Sequence, residues 1–252
     1  MGRDEKTQDL LDFTGKTVLV VGGSSGIGNG IAQSFRARGA RVHVWGTRAS
    51  AKDYDGVEGS NLDGLGYTFV DVGDLQSVEA APTAFDSLDV LVLCQGTVIY
   101  RRGEFTLDGW RKVVAVNLDS LMACALRFHA MLRDAKGSMI VVSSVSGFKS
   151  SKGNPAYAAS KAGAIGFTRT LAAAWASEGV RVNGLAPGLV DTKLTKVTVD
   201  HPKRLEAMLA GVPAGRMGTP DEMAGAALFL ASPLSSYVYG HTIAVDGGML
   251  VS

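Results

Sequence analysis

The chain contains very little cysteine. Of its 252 residues only two are cysteines, Cys94 in an apolar run and Cys124 in a helical pattern, and neither has a partner nearby in sequence. Isolated thiols of this kind indicate buried side chains in a reducing compartment and not a disulfide framework. The N-terminus is polar, without an apolar signal region, so we expect a cytoplasmic protein. No apolar run approaches the roughly 20 residues that a membrane-spanning helix needs, and we expect no membrane association.

Charge is also scarce. Asp, Glu, Lys and Arg make up 19% of the residues, the formal net charge is +1, and there is no basic block. This balance provides no electrostatic attraction to nucleic acid or to an anionic membrane, so neither is an expected partner. The histidines are scattered without the spacing of metal ligands, and no metal site is expected. They are His43, His129, His201 and His241.

Apolar residues, in contrast, form 46% of the chain, which is enough for a buried core. No composition shift marks a linker and no internal repeat is present. A length of 252 residues is common for one α/β domain. We therefore predict an N-terminal tail over residues 1–13 and a single dinucleotide-binding and catalytic domain over residues 14–252.

Short runs of residues that favour strands alternate with helical patterns. The runs cover residues 17–21, 41–45, 67–70, 90–94, 139–142, 181–185 and 242–245. The first of them, residues 17–21, is a continuous apolar β-branched run, which is typical of a strand buried on both faces of a parallel sheet. The alternation predicts an α/β fold with a Rossmann-type doubly wound sheet of about seven strands and helices on both faces. The irregular segment from Leu189 to Gly218 follows the sixth run and is a candidate substrate lid.

A glycine-rich segment joins the first predicted strand to the first predicted helix, with the spacing G-x-x-x-G-x-G. Bare backbone at this place can approach a pyrophosphate, and a helix N-terminus favours negative charge. A tight turn without a ligand is the alternative. We predict dinucleotide binding by this loop, through Gly22, Ser24, Ser25, Gly26, Ile27 and Gly28.

The residues after the second strand distinguish between the two nicotinamide dinucleotides. An NAD site usually has an acidic residue there to bind the ribose hydroxyls, but this chain has Gly46, Thr47 and Arg48. A guanidinium pairs well with the 2′-phosphate of NADP. We therefore predict NADP(H), with NAD(H) as the alternative if Arg48 is a solvated loop residue. Asp71 and Val72, after the third strand, are expected near the adenine.

A candidate acid–base pair lies in a helical pattern that begins after a proline. Tyr157 and Lys161 are four residues apart, which puts the phenol and the ammonium on one face of the helix. Ser144 stands at the carboxyl end of the fifth strand and can meet them. A tyrosine has a pKa of roughly 10, and a neighbouring cation favours the phenolate. We predict that Lys161 lowers the pKa of Tyr157 and that Tyr157 transfers a proton.

With the glycine loop, Asn117, Ser144, Tyr157 and Lys161 all in order, the chain resembles the short-chain dehydrogenase/reductase family over residues 14–250. Residues 181–188 and 245–248 also resemble segments of that family. The resemblance implies that the tyrosine is the general acid or base, that the serine orients the substrate carbonyl, and that the lysine holds the nicotinamide ribose. It implies that Asn117 supports a water linked to the lysine. Further cofactor contacts are implied for Gln95, Gly96, Tyr157, Lys161, Pro187, Gly188, Val190 and Thr192.

Two positions depart from the family pattern. Val21 stands where the family usually has threonine, and strand four ends in Leu93-Cys94-Gln95-Gly96 where Asn-Asn-Ala-Gly is common. The polar contacts that shape the cofactor pocket must therefore differ from those of the family. The catalytic positions are complete.

The resemblance implies an oxidoreductase, a ketoreductase or alcohol dehydrogenase, that transfers a hydride between a nicotinamide cofactor and a ketone or secondary alcohol. An apolar substrate pocket is expected, which favours a small or medium hydrophobic substrate. Its predicted lining is Val98, Val145, Phe148, Leu189 and Leu194. One alternative is a β-oxoacyl-carrier-protein reductase, although Ala135 and Glu178 stand where those enzymes tend to have basic residues. Another is a non-catalytic dinucleotide-binding regulator.

The predicted helix from Ala158 to Trp175 has small or apolar residues around most of its circumference. One buried face does not require so many. The family resemblance implies tetramers formed partly through this helix. We therefore expect a homotetramer whose other partner is a small-molecule ketone or alcohol.

Overall fold

The computed structural model describes residues 9–252; residues 1–8 of the predicted tail lie outside the described residues. Seven strands form one parallel sheet in the order β3-β2-β1-β4-β5-β6-β7. The strands are β1 (Thr17–Val21), β2 (Arg41–Gly46), β3 (Gly66–Phe69), β4 (Val90–Leu93), β5 (Ser138–Val142), β6 (Arg181–Pro187) and β7 (Thr242–Val245). The strand order reverses between β1 and β4, as in doubly wound folds. The predicted Rossmann-type α/β fold is confirmed.

The helices cover both faces of this sheet. They are α1 (Gly26–Ala37), α2 (Leu75–Ala80), α3 (Leu107–Val114), α4 (Ser120–Ala135), α5 (Pro155–Trp175), α6 (Lys196–Val199), α7 (Pro202–Leu209) and α8 (Pro220–Ala231). Helix α1 begins at Gly26, so the end of the glycine loop forms its first turn. The connection from β2 to β3 has one short 3₁₀ turn, Ala51–Tyr54, and otherwise no regular structure.

Alternate residues of the central strands face opposite layers of the core, as the two-residue period of a strand requires. On one face Leu19, Leu91 and Met139 pack with Phe128 and Leu132 of α4. On the other face the strand side chains pack against α1 and α8. This second cluster includes Val18, Val20, Val92, Ile140, Ile31, Phe35, Met223 and Leu228.

Helices α3 and α4 are joined without a break by a π-helical turn, Ala115–Asp119. The continuous helix Leu107–Ala135 is long and apolar enough to cross a membrane by length and composition alone, whereas the sequence predicted no such segment. A core helix meets the same criteria, and Leu121, Phe128 and Leu132 of this helix are buried in the core. A π-helical turn in a long helix is frequently found at a functional site, and this one contains Asn117.

The close packing of the glycine loop against α1 generates the first prediction. A Cβ atom on Gly28 would lie 2.2 Å from the carbonyl oxygen of Gly22, whereas a Cβ atom on Gly225, in α8, would meet nothing within 4 Å. Both glycines are helical, so they form a matched pair. Gly28→Ala should lower the free energy of unfolding by about 1–3 kcal/mol through overpacking. Gly225→Ala should raise it by roughly 0.5–1 kcal/mol, because alanine favours the helix.

Chemical denaturation of the two variants and the parent chain measures both effects. Equal stabilities for Gly28→Ala and the parent would contradict the packing described for the loop.

Candidate active site

A cleft of about 720 Å³ opens at the edge where the parallel strands have their carboxyl ends. Its lining comes from the segments that follow β1, β2, β3, β4, β5 and β6, which is where open α/β sheets bind ligands. Every residue that the sequence predicted as a cofactor contact lines this cleft except Arg48. Ser144, Tyr157 and Lys161 line it as well, whereas Asn117 is fully buried behind it.

The glycine loop presents backbone to the cleft. Gly22 has φ +75° and Gly26 has φ +55°, a conformation that favours glycine. A Cβ atom on Gly22 would lie 2.9 Å from the Cα atom of Gln95. Ser25, the residue before α1, makes no side-chain capping bond, and the first turn of α1 has no acidic residue. The N–H of Gly26 donates to the carbonyl oxygen of Gly59 at 2.8 Å, which leaves the N–H groups of Ile27 and Gly28 in the first turn for an anion.

At the end of β2, the side chain of Arg48 does not line the cleft as the sequence predicted. The guanidinium of Arg48 donates to the carbonyl oxygen of Asp53 and lies 4.7 Å from the centre of the Tyr54 ring. The hydroxyl of Tyr54 accepts hydrogen bonds from the backbone N–H groups of Thr47 and Arg48, at 3.2 and 3.3 Å. Arg48 is thus turned away from the cleft, because a carbonyl and an aromatic face hold its side chain. No local pattern in the sequence indicated the role of Tyr54.

The catalytic candidates on α5 are fixed to the end of β5. The Nζ atom of Lys161 donates to the carbonyl oxygen of Val142 at 2.9 Å and lies 5.7 Å from the centre of the Tyr157 ring. The hydroxyl of Ser143 donates to the carbonyl oxygen of Lys161 at 2.7 Å. The hydroxyl of Ser144 lies close enough to the phenol of Tyr157 to act on its pKa. Serine, tyrosine and lysine therefore meet at one wall of the cleft.

Asn117 supports this wall from behind. Its Nδ2 atom donates to the carbonyl oxygen of Thr97 at 2.9 Å and to the hydroxyl of Ser160 at 3.1 Å, and its Oδ1 atom accepts from Thr97 N–H at 2.7 Å. A Cβ atom on Gly96 would lie 3.4 Å from Nζ of Lys161 and 3.7 Å from Oδ1 of Asn117. Asn117 thus joins the segment after β4 to the helix that carries Lys161.

The predicted lowering of the pKa of Tyr157 is wrong in direction, and Lys161 is not among the groups that set the shift. Burial raises the pKa of Tyr157 above its ordinary value, and the neighbouring hydroxyl of Ser144, which acts to lower it, does not offset burial. Burial also lowers the pKa of Lys161 to about 8. Desolvation disfavours the charged form of each group. Tyr157 therefore keeps its proton at neutral pH, which is the state that a proton donor needs.

The predicted apolar pocket is only partly present. Val98 and Leu194 line the cleft. Val145 and Leu189 instead pack with Val212 and Met249 in a separate cluster, and Phe148 is 45% exposed and not part of the lining. Whether each of these side chains lines the cleft depends on how the neighbouring segments pack. Hydrophobicity alone could not predict that packing.

The cleft also includes residues that sequence reasoning missed. The hydroxyl of Tyr100 donates to the carbonyl oxygen of Leu194 at 2.7 Å, which joins the wall after β4 to the 189–218 segment. Lys196 of α6 forms an ion pair with Glu58 of the β2–β3 connection, and both residues line the cleft. These pairs lie about 100 residues or more apart in sequence, so no spacing pattern could indicate them.

Residues 9–252 contain no group of three or more His, Cys, Asp and Glu side chains able to hold a metal ion. Cys94 and Cys124 are free thiols, and burial raises the pKa of each to about 12. Neither thiol is therefore ionised near neutral pH.

Comparison with known proteins agrees with this geometry. Residues 21–250 match the protein family described as enoyl-(acyl carrier protein) reductase. The chain is 38% identical over 248 residues to the 3-oxoacyl-(acyl-carrier-protein) reductase FabG of Chlamydia muridarum, covering 93% of this chain and 97% of the relative. It is 36% identical over 249 residues to the 2-dehydro-3-deoxy-D-gluconate 5-dehydrogenase of Bacillus subtilis, covering 96% and 97% of the two chains.

Among solved structures, the fold matches a gluconate 5-dehydrogenase from Burkholderia cenocepacia, determined in complex with NADP and tartrate. The TM-score is 0.86 and the sequence identity 29%, with 96% of this chain and 99% of that chain covered.

Proposed function

The chain belongs to the short-chain dehydrogenase/reductase family and is an NAD(P)-dependent oxidoreductase of CH–OH and C=O groups, and we propose that it reduces ketones with Tyr157 as the proton donor. The observation that carries this proposal is the meeting of Ser144, Tyr157 and Lys161 at one wall of a cleft that begins at the glycine loop. The reverse reaction, oxidation of a secondary alcohol, uses the same groups.

The residues present fit a nicotinamide dinucleotide. The backbone of Gly22 and Gly26 and the uncapped start of α1 suit a pyrophosphate. Gly96, whose missing side chain leaves space beside Lys161, suits a close approach at the other end. Asp71 and Val72 line the far part of the cleft, where we propose that the adenine binds.

When bound, the reduced nicotinamide supplies the hydride that the carbonyl carbon of the substrate receives. Ser144 and Tyr157 place hydrogen-bond donors where negative charge develops on the carbonyl oxygen. Tyr157 gives its proton to that oxygen, which completes the alcohol. The charge of Lys161 then stabilises the phenolate that remains. Val142, Ser143 and α5 hold the lysine in place.

The proposed substrate is a small or medium ketone. Val98 and Leu194 provide the apolar part of the lining and Tyr100 a polar edge. A carrier-protein thioester is the second candidate, because the Chlamydia relative is named for that substrate. Against it, Glu178 occupies one expected basic position, where its Oε2 atom lies 3.0 Å from Nε2 of His129. Within this proposal, residues 14–252 form a single domain and the 189–218 segment closes over the substrate.

Tyr157→Phe tests the mechanism. The variant keeps the ring but lacks the proton, so kcat for ketone reduction should fall by roughly 100- to 10,000-fold, the range for loss of a general acid. NADPH binding, followed by fluorescence titration, should remain. Turnover close to that of the parent enzyme would remove Tyr157 from the mechanism.

A second experiment tests the cofactor. We propose NADP(H), with Arg48 leaving the Asp53 carbonyl and the Tyr54 ring to pair with the 2′-phosphate. A hydrogen bond to a charged group contributes about 1.5–3 kcal/mol, so Arg48→Ala should raise KM for NADPH by roughly 10- to 100-fold and leave KM for NADH unchanged. A parent enzyme with the lower KM for NADH would contradict the NADP assignment.

We also propose that the protein is a homotetramer located in the cytoplasm. Met122 and Leu126 of α4 are 44% and 60% exposed, and α5 exposes small residues nearby. These are Ala159, Ala162, Gly166 and Ala173. Apolar surface on two adjacent helices suits a helix-to-helix interface. Light scattering should give the mass of four chains, and a monomer at micromolar concentration would contradict the assembly.

A further inference from the structure

One carboxylate beside the cleft is buried and has no role in the mechanism above. Glu104 lies in the 3₁₀ turn Gly103–Phe105 that precedes α3, and it is 1% exposed. Within residues 9–252, no lysine, arginine or histidine forms an ion pair with it. A buried carboxylate without a cation is costly unless several hydrogen bonds satisfy it.

Three N–H donors satisfy this carboxylate. The Oε2 atom of Glu104 accepts from the backbone N–H of Tyr157 at 2.9 Å. The Oε1 atom accepts from the backbone N–H of Ile99 at 3.0 Å and from Nδ2 of Asn154 at 3.3 Å. Both oxygens are therefore occupied, one by the proposed catalytic helix and one mainly by the segment after β4.

The contact with Tyr157 caps the helix that carries the proposed catalytic groups. Helix α5 has 21 residues, begins at Pro155, and receives no side-chain capping bond from Asn154, the residue before it. Tyr157 is its third residue, and a backbone N–H in that position has no partner inside the helix. Glu104 supplies that partner from another segment, with negative charge at the positive end of the helix.

The contact with Ile99 fixes the opposite wall. Its neighbours Thr97, Val98 and Tyr100 line the cleft. The two residues that lead from this wall to Glu104 are strained: Arg101 has φ +57° and Arg102 has φ +62°, values that side-chain-bearing residues rarely adopt. Strain of this kind persists where the surrounding contacts hold the backbone in place, and it is often found at functional sites.

We propose that Glu104 is a positioning residue, whose carboxylate holds the backbone of Tyr157 in register with the cleft wall around Ile99. The phenol of Tyr157 is then in place to meet the carbonyl group of a substrate that packs against Val98 and Tyr100. This inference rests on the proposed ketone reduction and adds to it the residue that sets the geometry of the proton donor.

The titratable groups that act on the Tyr157 phenol are Tyr100, Cys94 and Glu104. Burial is the main cause that raises the pKa of Tyr157, and these three groups raise it further, while the neighbouring hydroxyl of Ser144 lowers it. Lys161 faces the ring from the next turn of α5. Removal of the negative charge of Glu104 should therefore lower the pKa of Tyr157.

The experiment compares Glu104→Gln, Glu104→Asp and a matched control, Asp89→Asn. Asp89 also accepts from a backbone N–H, that of Thr17 at 2.9 Å, and from Lys16 at 2.9 Å. It lies at the amino ends of β1 and β4, the opposite edge of the sheet from the cleft. Asp89→Asn should therefore weaken the fold, but Asp89 has no contact with the cleft.

For Glu104→Gln, kcat should fall by roughly 10- to 100-fold, the cost of a misplaced catalytic group, while NADPH affinity stays unchanged. The amide accepts with one oxygen only, so at least one of the three N–H donors loses its partner. The alkaline limb of the kcat profile should move to lower pH, because ketone reduction needs the protonated phenol. Glu104→Asp keeps the charge but is one methylene shorter, so it should lose kcat with no shift of that limb.

Hydrogen exchange supplies a measurement that does not depend on activity. The Tyr157 amide should exchange faster in Glu104→Gln, while amides in the middle of α5 stay protected. Asp89→Asn should lower the thermal midpoint and leave kcat, the pH profile and the Tyr157 amide unchanged.

Parental kcat and pH profile in Glu104→Gln would overturn the inference. So would a loss of activity that follows only the fraction of folded protein and is shared by Asp89→Asn. A parent enzyme that reduces no ketone defeats the proposed function instead, and the exchange rate of the Tyr157 amide then still decides whether Glu104 positions that residue.

Discussion

The structure depends most on one buried cation. Lys161 is 4% exposed, and its ammonium donates to a single backbone carbonyl at the end of β5. Desolvation of a cation is expensive, and it lowers the pKa of Lys161 to about 8. Ser143 holds the lysine's own backbone carbonyl, and the bare Cα of Gly96 leaves space at Nζ. These contacts keep the charge beside Tyr157, where a phenolate needs it.

The remainder of the cleft is built around that pair by contacts between segments that are distant in sequence. Asn117 joins the segment after β4 to α5, and Tyr100 joins the same segment to the 189–218 region. The parallel topology makes these contacts possible, because all seven strands have their carboxyl ends at one edge. Each of these hydrogen-bonded contacts holds a different wall of the same cleft in place.

Much of this could be predicted from the sequence. The strands follow from short runs that alternate with helical patterns, and the cleft from residues that come directly after these strands. Tyr157 and Lys161 follow from helical spacing. The rest depends on tertiary contacts: burial reversed the expected pKa shift of Tyr157, the ring of Tyr54 turned Arg48 aside, and Phe148 stays exposed. Glu104 had no local signal, since its partners lie five to 53 residues away.

The central claim is that this cluster of serine, tyrosine and lysine reduces a carbonyl with hydride from nicotinamide. The most direct measurement uses NADPH that carries deuterium at C4 of the nicotinamide, on the face from which the hydride leaves, and a ketone substrate, with mass spectrometry of the alcohol formed. Deuterium on the carbinol carbon in the product of the parent enzyme is the predicted result. An alcohol without deuterium on that carbon, when both C4 positions have been labelled in turn, would contradict the account.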